Sequence, residues 1–333
     1  MNRLDFTQVI PRLKVLETKL LDKTKIDRMI DSKDPEEALK VLGETEYAAY
    51  MTNIKRAADY EVLLSEELKR TYKMLYSIIP SKDLVDVMAL KYDYHNIKVF
   101  IKEKLLGKDF SNMLIPIGIM ELDKLKYAIT SEDFRDLTLS MRNAIETALS
   151  DFQNFKDPQR IDIIIDGYMF EELKVIDKNI KDKALEKFIK STIDLTNLKS
   201  LFRVKKQNKS KEFLNSVVIS GGYLDKDRIT ALFSDTVENI VSKLAYTDYS
   251  DVLKNGFDNY IKDGSLNNFE KLSDNYIMNF MKNAKLISFG IEPILAYIYA
   301  KENELKLIRI IMVGKLNNIA GEVIKERLCE NYV

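Results

Sequence analysis

Gly314-Lys315 is the pair that most invites a chemical reading. A phosphate-binding loop of the Gly-x-x-x-x-Gly-Lys-Ser/Thr kind needs glycine where Arg309 stands and a hydroxyl where Leu316 stands. The backbone cradle and the magnesium ligand are both missing. Gly221-Gly222 is a lone pair, which reads as a turn or a helix end with positive φ at Gly222. Nucleophilic catalysis has one thiol and one imidazole to draw on, Cys329 and His95. Cys329 falls in the charged run Lys325-Glu326-Arg327-Leu328-Cys329-Glu330 and is expected to be a plain helical residue. His95 is expected on a helix surface. Asp162 and Asp166 stand four apart and would share one helix face, the spacing an acid/base pair needs. With 52 acidic residues in the chain such pairs arise by chance, so an acid/base role is disfavoured. Lys205, Lys206, Lys209 and Lys211 form a local basic cluster, expected to be a solvated loop.

The elements that would position these groups are helical. Apolar residues recur at steps of three and four, as in Leu90, Tyr94, Ile97, Ile101 and Leu105, or Leu295, Ile298, Leu305, Ile308 and Met312. Gly (11) and Pro (6) are scarce in 333 residues, too few for the turns of an all-β fold. Helix starts are expected at Asp34-Pro35-Glu36-Glu37, at Asp235-Thr236-Val237-Glu238 and, more weakly, at Thr130-Ser131-Glu132-Asp133. Breaks are expected at Pro80-Ser81, Asp157-Pro158, Gly221-Gly222 and a polar stretch from Asn255-Gly256 to Asn267-Asn268. One Cys excludes a disulfide framework and multi-Cys metal sites. Lys+Arg and Asp+Glu both number 52, so no basic surplus exists for nucleic acid or for strong direct binding to anionic lipid. No stretch reaches the ~20 apolar residues of a spanning helix, and charges interrupt the first twenty residues, unlike a signal peptide.

A degenerate repeat organises the chain. Asp93-Tyr94-His95-Asn96-Ile97-Lys98-Val99-Phe100 recurs as Asp194-Leu195-Thr196-Asn197-Leu198-Lys199-Ser200-Leu201. It returns loosely as Lys301-Glu302-Asn303-Glu304-Leu305-Lys306-Leu307-Ile308. The pairs Ile97/Phe100, Leu198/Leu201 and Leu305/Ile308 are three apart and share a helix face, which assigns them to cores. Asn96, Asn197 and Glu304 align, as do Lys98, Lys199 and Lys306. Gly118-Ile119-Met120 matches Gly222-Tyr223-Leu224, and Thr45-Glu46-Tyr47 matches Thr247-Asp248-Tyr249. The chain is therefore read as three helical units, 1–124, 125–228 and 229–333.

Glu292-Pro293-Ile294-Leu295-Ala296-Tyr297, Ala300-Lys301-Glu302-Asn303-Glu304, Gly314-Lys315-Leu316-Asn317 and Ile324-Lys325-Glu326-Arg327-Leu328 resemble the end of the C subunit of V-type (archaeal/bacterial A/V-type) ATP synthases, a family related to the d subunit of eukaryotic V-ATPases. Leu16-Glu17-Thr18-Lys19-Leu20-Leu21 and Gly221-Gly222-Tyr223-Leu224 agree with it. The first repeat departs from the double-glycine turn, having Ile117-Gly118. The resemblance implies an all-α fold of three similar domains around a pseudo-threefold axis, shaped as a funnel. It implies a rotor component at the cytoplasmic face of the membrane, without catalytic residues, cofactor or small-molecule substrate. Its implied partners are the D and F subunits of the shaft and the membrane proteolipid ring. Two competing readings are a free helical scaffold, which roughly 100-residue units disfavour, and a helical hydrolase using Asp162 and Asp166.

Overall fold

The computed structural model describes residues 3–333, save the side chains at 258, 259 and 261–263. All regular structure among the described residues is helical, as expected of an all-α chain. The chain opens with α1 (Val9–Glu17), α2 (Lys23–Asp31), α3 (Pro35–Leu42) and α4 (Tyr60–Ile78). Then come α5 (Lys82–Leu106), α6 (Leu122–Ser131), α7 (Leu139–Phe155) and α8 (Pro158–Ile180). Next are α9 (Lys183–Lys206), α10 (Lys211–Val217) and α11 (Lys226–Ala231). The series closes with α12 (Val237–Lys243), α13 (Ser250–Asp263), α14 (Asn267–Lys282), α15 (Glu292–Leu316) and α16 (Gly321–Arg327).

Side-chain caps explain several starts. Asp34 accepts the Glu37 amide (2.7 Å), with Pro35 in the first turn. The break expected at Asp157-Pro158 falls between α7 and α8, and the pair caps the second of them: Asp157 accepts the Gln159 amide (2.9 Å), and Pro158 needs no amide partner at that position. At Asp235-Thr236 the cap is Thr236, which accepts from Asn239, while Asp235 pairs with Lys243. Thr130-Ser131-Glu132 is an end rather than a start. It closes α6, with Glu132 left-handed at φ 58°, and Thr138 caps the following helix α7. Asn255-Gly256 lies inside α13, where a Cβ on Gly256 would stand 2.9 Å from the Phe269 ring of α14. The two helices can approach closely only because that residue has no side chain.

The chain forms two compact units, Met1–Pro80 with Ser234–Val333, and Ser81–Phe233. In the second, α5 packs on α6 and α8, and α7 packs on α8. Its core holds Leu90, Tyr94, Ile97, Phe100, Ile129, Ile145 and Ile165. In the first, α15 packs on α1, α2, α3 and α4 from the other end of the sequence. Its core joins Met29, Leu42 and Leu63 to Leu305, Ile308 and Met312. No helix among the described residues is long and apolar enough to cross a membrane.

Candidate functional site

The recurring motif lies on three long helices, α5, α9 and α15. Its apolar positions are all buried: Ile97 and Phe100, Leu198 and Leu201, Leu305 and Ile308. Its polar positions do local work that the sequence pattern does not show. On α5, the Asp93 carboxylate is fully buried and accepts the amides of Ile119 (2.8 Å) and Met120 (3.1 Å). One turn on, Asn96 grips a single residue from both sides. Its Nδ2 donates to the Ile115 carbonyl (2.7 Å), and its Oδ1 accepts the Ile115 amide (2.9 Å).

The same clamp recurs on α9. Asp194 accepts the amides of Tyr223 and Leu224, both at 3.0 Å. Asn197 donates to the Ile219 carbonyl (2.7 Å) and accepts the Ile219 amide (2.8 Å). Each clamp folds the segment after the helix back onto it, and satisfies backbone groups that burial would otherwise leave unpaired. Glycine is required beside each aspartate. A Cβ on Gly118 would lie 2.2 Å from Asp93 Oδ1, and one on Gly222 would lie 2.0 Å from Asp194 Oδ1. The expectation of positive φ at Gly222 is corrected: Gly221 takes φ 103°, and Gly222 is needed for close approach. Burial raises Asp93 to about 7 against the pull of its two amides, with Glu172 and Asp86 adding repulsion. Glu172 itself accepts the Tyr94 hydroxyl (2.6 Å).

On α15 the clamp is rebuilt with other groups. Lys301 replaces the aspartate and is buried between Glu67 and Glu304, 2.7 Å from each. The Tyr47 ring lies 4.7 Å from the Lys301 ammonium. Glu304 accepts the Leu21 amide (2.5 Å) and the Tyr47 hydroxyl (2.6 Å). Glu67 also takes a two-pronged pair from Arg70, at 2.8 Å on each oxygen. The amide that holds a returning segment is Asn303, one residue before Glu304, which donates to the Glu330 carbonyl (3.0 Å). Asn275 on α14 supplies the other half, accepting the Glu330 amide (2.7 Å).

The lysine of the motif braces helix to helix. Lys98 pairs with Asp166 (2.7 Å), and Lys306 pairs with Asp274. Lys199 is half-buried on α9. Lys102 meets Asp162 at 2.7 Å, so the two acids singled out by their spacing tie α8 to α5. They border an open groove of about 830 Å³ between α8, α9 and α10. His95 is half-buried, its Nε2 2.8 Å from the Met113 carbonyl. Gly314 sits inside α15, where a Cβ would meet the Ile324 side chain at 2.5 Å, and Lys315 donates to the Ser32 carbonyl (2.5 Å). Cys329 is not a helical residue: it follows α16, is buried, and donates to Asn303 Oδ1 (3.1 Å). The basic cluster is not one solvated loop either. Lys205 and Lys206 end α9, Lys211 opens α10, and Lys205 donates to the Phe233 carbonyl (2.5 Å).

The matched threonines share one geometry. Thr45 donates to the Leu42 carbonyl (2.6 Å) and accepts the Tyr47 amide (3.3 Å). Thr247 donates to the Leu244 carbonyl (2.7 Å) and accepts the Tyr249 amide (3.4 Å). Tyr47 and Tyr249 are both buried.

These features define an all-α chain braced by buried side-chain-to-backbone clamps. The sequence profile of the ATP synthase (C/AC39) subunit matches residues 9–327, and the chain belongs to that family. It is 28% identical over 329 residues to the C subunit of the V-type sodium ATPase of Enterococcus hirae, covering 99% of both chains. It is 28% identical over 344 residues to the C subunit of the A-type ATP synthase of Methanocaldococcus jannaschii, covering 97% of this chain and 86% of that one. The chain is thus a component of a rotary ATP synthase complex, the class of machine that links ATP synthesis to ion transport.

Proposed function

We propose that this chain is the non-catalytic rotor coupler of its complex. It joins the shaft, made by the D and F subunits, to the membrane proteolipid ring at the cytoplasmic face. It is built as three repeats, 1–124, 125–228 and 229–333, set around a pseudo-threefold axis as a funnel. The observation that carries this reading is the clamp, present in one geometry on α5 and α9 and in altered form on α15. A part that transmits torque must not deform under load. Close-packed helical cores resist deformation, and the clamps add fixed cross-links between each long helix and its following segment. A second support is the pairing of repeats. The long helix α5 packs on α6 and α8, which follow it, and α15 packs on α1–α4 from the far side of the sequence.

The test is affinity purification of a tagged chain from solubilised membranes, with the complex intact. Shaft and ring components should co-purify with it. Recovery of soluble partners alone would favour the scaffold reading. Asp162→Ala and Asp166→Ala variants should keep the ATPase activity of the assembled complex, because these acids serve as braces. Loss of that activity with assembly intact would favour the hydrolase reading.

A further inference from the structure

Segment 328–333, which follows α16, makes no regular structure yet is held at nearly every residue. Leu328, Cys329 and Tyr332 are buried. Glu330 is gripped by Asn275 and Asn303 through its backbone, and by Lys282 through its carboxylate (2.6 Å). These bonds fix the segment to α14 and α15. Its far end reaches a different part of the chain. Asn331 Nδ2 donates to the Leu21 carbonyl (3.4 Å), and the Tyr332 hydroxyl donates to Glu17 Oε1 (3.2 Å). The Tyr332 ring lies 4.8 Å from the Lys285 ammonium.

The part so reached is residues 3–21, a short arm containing α1. The arm lies on α15 through α1, and Phe6, Val9, Ile10 and Leu13 are all buried. Polar attachments add to these. Arg3 pairs with Glu292 (2.7 Å) and accepts the Gly290 amide on its carbonyl (3.2 Å). Lys14 donates to the Ala284 carbonyl (3.4 Å), Lys19 pairs with Glu46 (3.1 Å), and the Leu21 amide donates to Glu304. A helix of nine residues with its short lead-in is a small unit, of the size that opens locally while the rest of a domain stays folded.

We propose that residues 328–333 are a strap that holds the arm down on α15, so that releasing the strap releases the arm. Asn275 and Asn303 are the fixed end of the strap, and Asn331 and Tyr332 are its catch. When the catch opens, the arm lifts as a unit and uncovers the apolar face of α15 beneath it, while α2–α4 keep their own packing on that helix.

Amide hydrogen exchange on the full chain tests this. The first variant lacks residues 331–333, and the second is Tyr332→Phe, which keeps the ring over Lys285 and removes the hydroxyl. Removing 331–333 should speed exchange within residues 9–21 by roughly tenfold or more, with α5 and α8 unchanged. Tyr332→Phe should give a smaller acceleration in the same residues. Unchanged exchange across 9–21 in both variants would overturn the proposal, since the arm would then be held without the strap. Equal acceleration across 9–21, α14 and α15 would also overturn it, since the segment would then be an ordinary part of the core.

Discussion

Gly222 and Asp194 occupy the same small space: a Cβ on the glycine would lie 2.0 Å from the carboxylate oxygen. Gly222→Ala therefore forces the carboxylate off the Tyr223 and Leu224 amides or shifts the backbone that carries them. Overpacking and loss of charge-assisted hydrogen bonds add to about 3 kcal/mol. Gly118→Ala should cost a similar amount at Asp93. Urea unfolding of each variant measures it, and a cost under about 0.5 kcal/mol would remove the clamp as a source of stability.

Asp93 makes stability depend on pH in a direction opposite to that of a salt-bridged acid. Its folded value is raised to about 7 from 3.8, first by burial. Between those values the folded state holds a proton that the unfolded state has released. The contribution is fully present below about pH 4 and is lost as pH rises through 7. Relative to Asp93→Asn, the parent protein should lose stability at up to ~1.4 kcal/mol per pH unit across this window. Unfolding curves at pH 5, 6, 7 and 8 would show it, and a parallel pair of profiles would refute it.

Lys301→Met should be severe, because it leaves Glu67 and Glu304 buried without their shared cation. Breaking such a group typically costs about 3–5 kcal/mol. Glu67 keeps its pair with Arg70, so the double variant Lys301→Met/Glu304→Gln, which neutralises the acid facing Lys301 on α15, should recover part of that loss. A double-mutant cycle in urea reads the recovery, and simple additivity would mean that Lys301 and Glu304 do not interact.

Leu198→Ala should cost about 2–5 kcal/mol, since Leu198 is wholly buried on α9. A loss below roughly 0.5 kcal/mol in thermal or urea unfolding would contradict a packed site.

Cys329 should react slowly with thiol reagents in the native state. Burial raises its thiol, and Asn303 holds its proton. Labelling at pH 8 should run on the order of a hundredfold slower than in urea. Equal rates would show that the segment around it is open.

The helices are legible in the sequence because they rest on local spacing. Ile97 and Phe100 stand three apart, and their burial follows from periodicity alone. The clamp is half visible: the block at Gly118 tracks the block at Gly222, but that each glycine faces an aspartate about 25 residues earlier needs the fold. The third copy hides its register. Aligning apolar positions matches Glu304 with Asn96 and Asn197, whereas the amide performing their task is Asn303. Lys301 in place of an aspartate looks like decay of the pattern. Its partner Glu67 lies far off in the chain, and no local signal joins them. Competition between neighbouring caps is equally hard to read, as where Thr236 takes the cap from Asp235.

Because Leu305, Ile308 and Met312 complete the core that Met29, Leu42 and Leu63 begin, the two halves of that core leave the ribosome far apart in time. At ordinary translation speeds the interval is on the order of 10–50 s. Residues 81–233 can be finished within it, but the opening helices must wait with their apolar faces uncovered. The nascent chain is most exposed to aggregation before α15 is made, and a holding chaperone would find its substrate there.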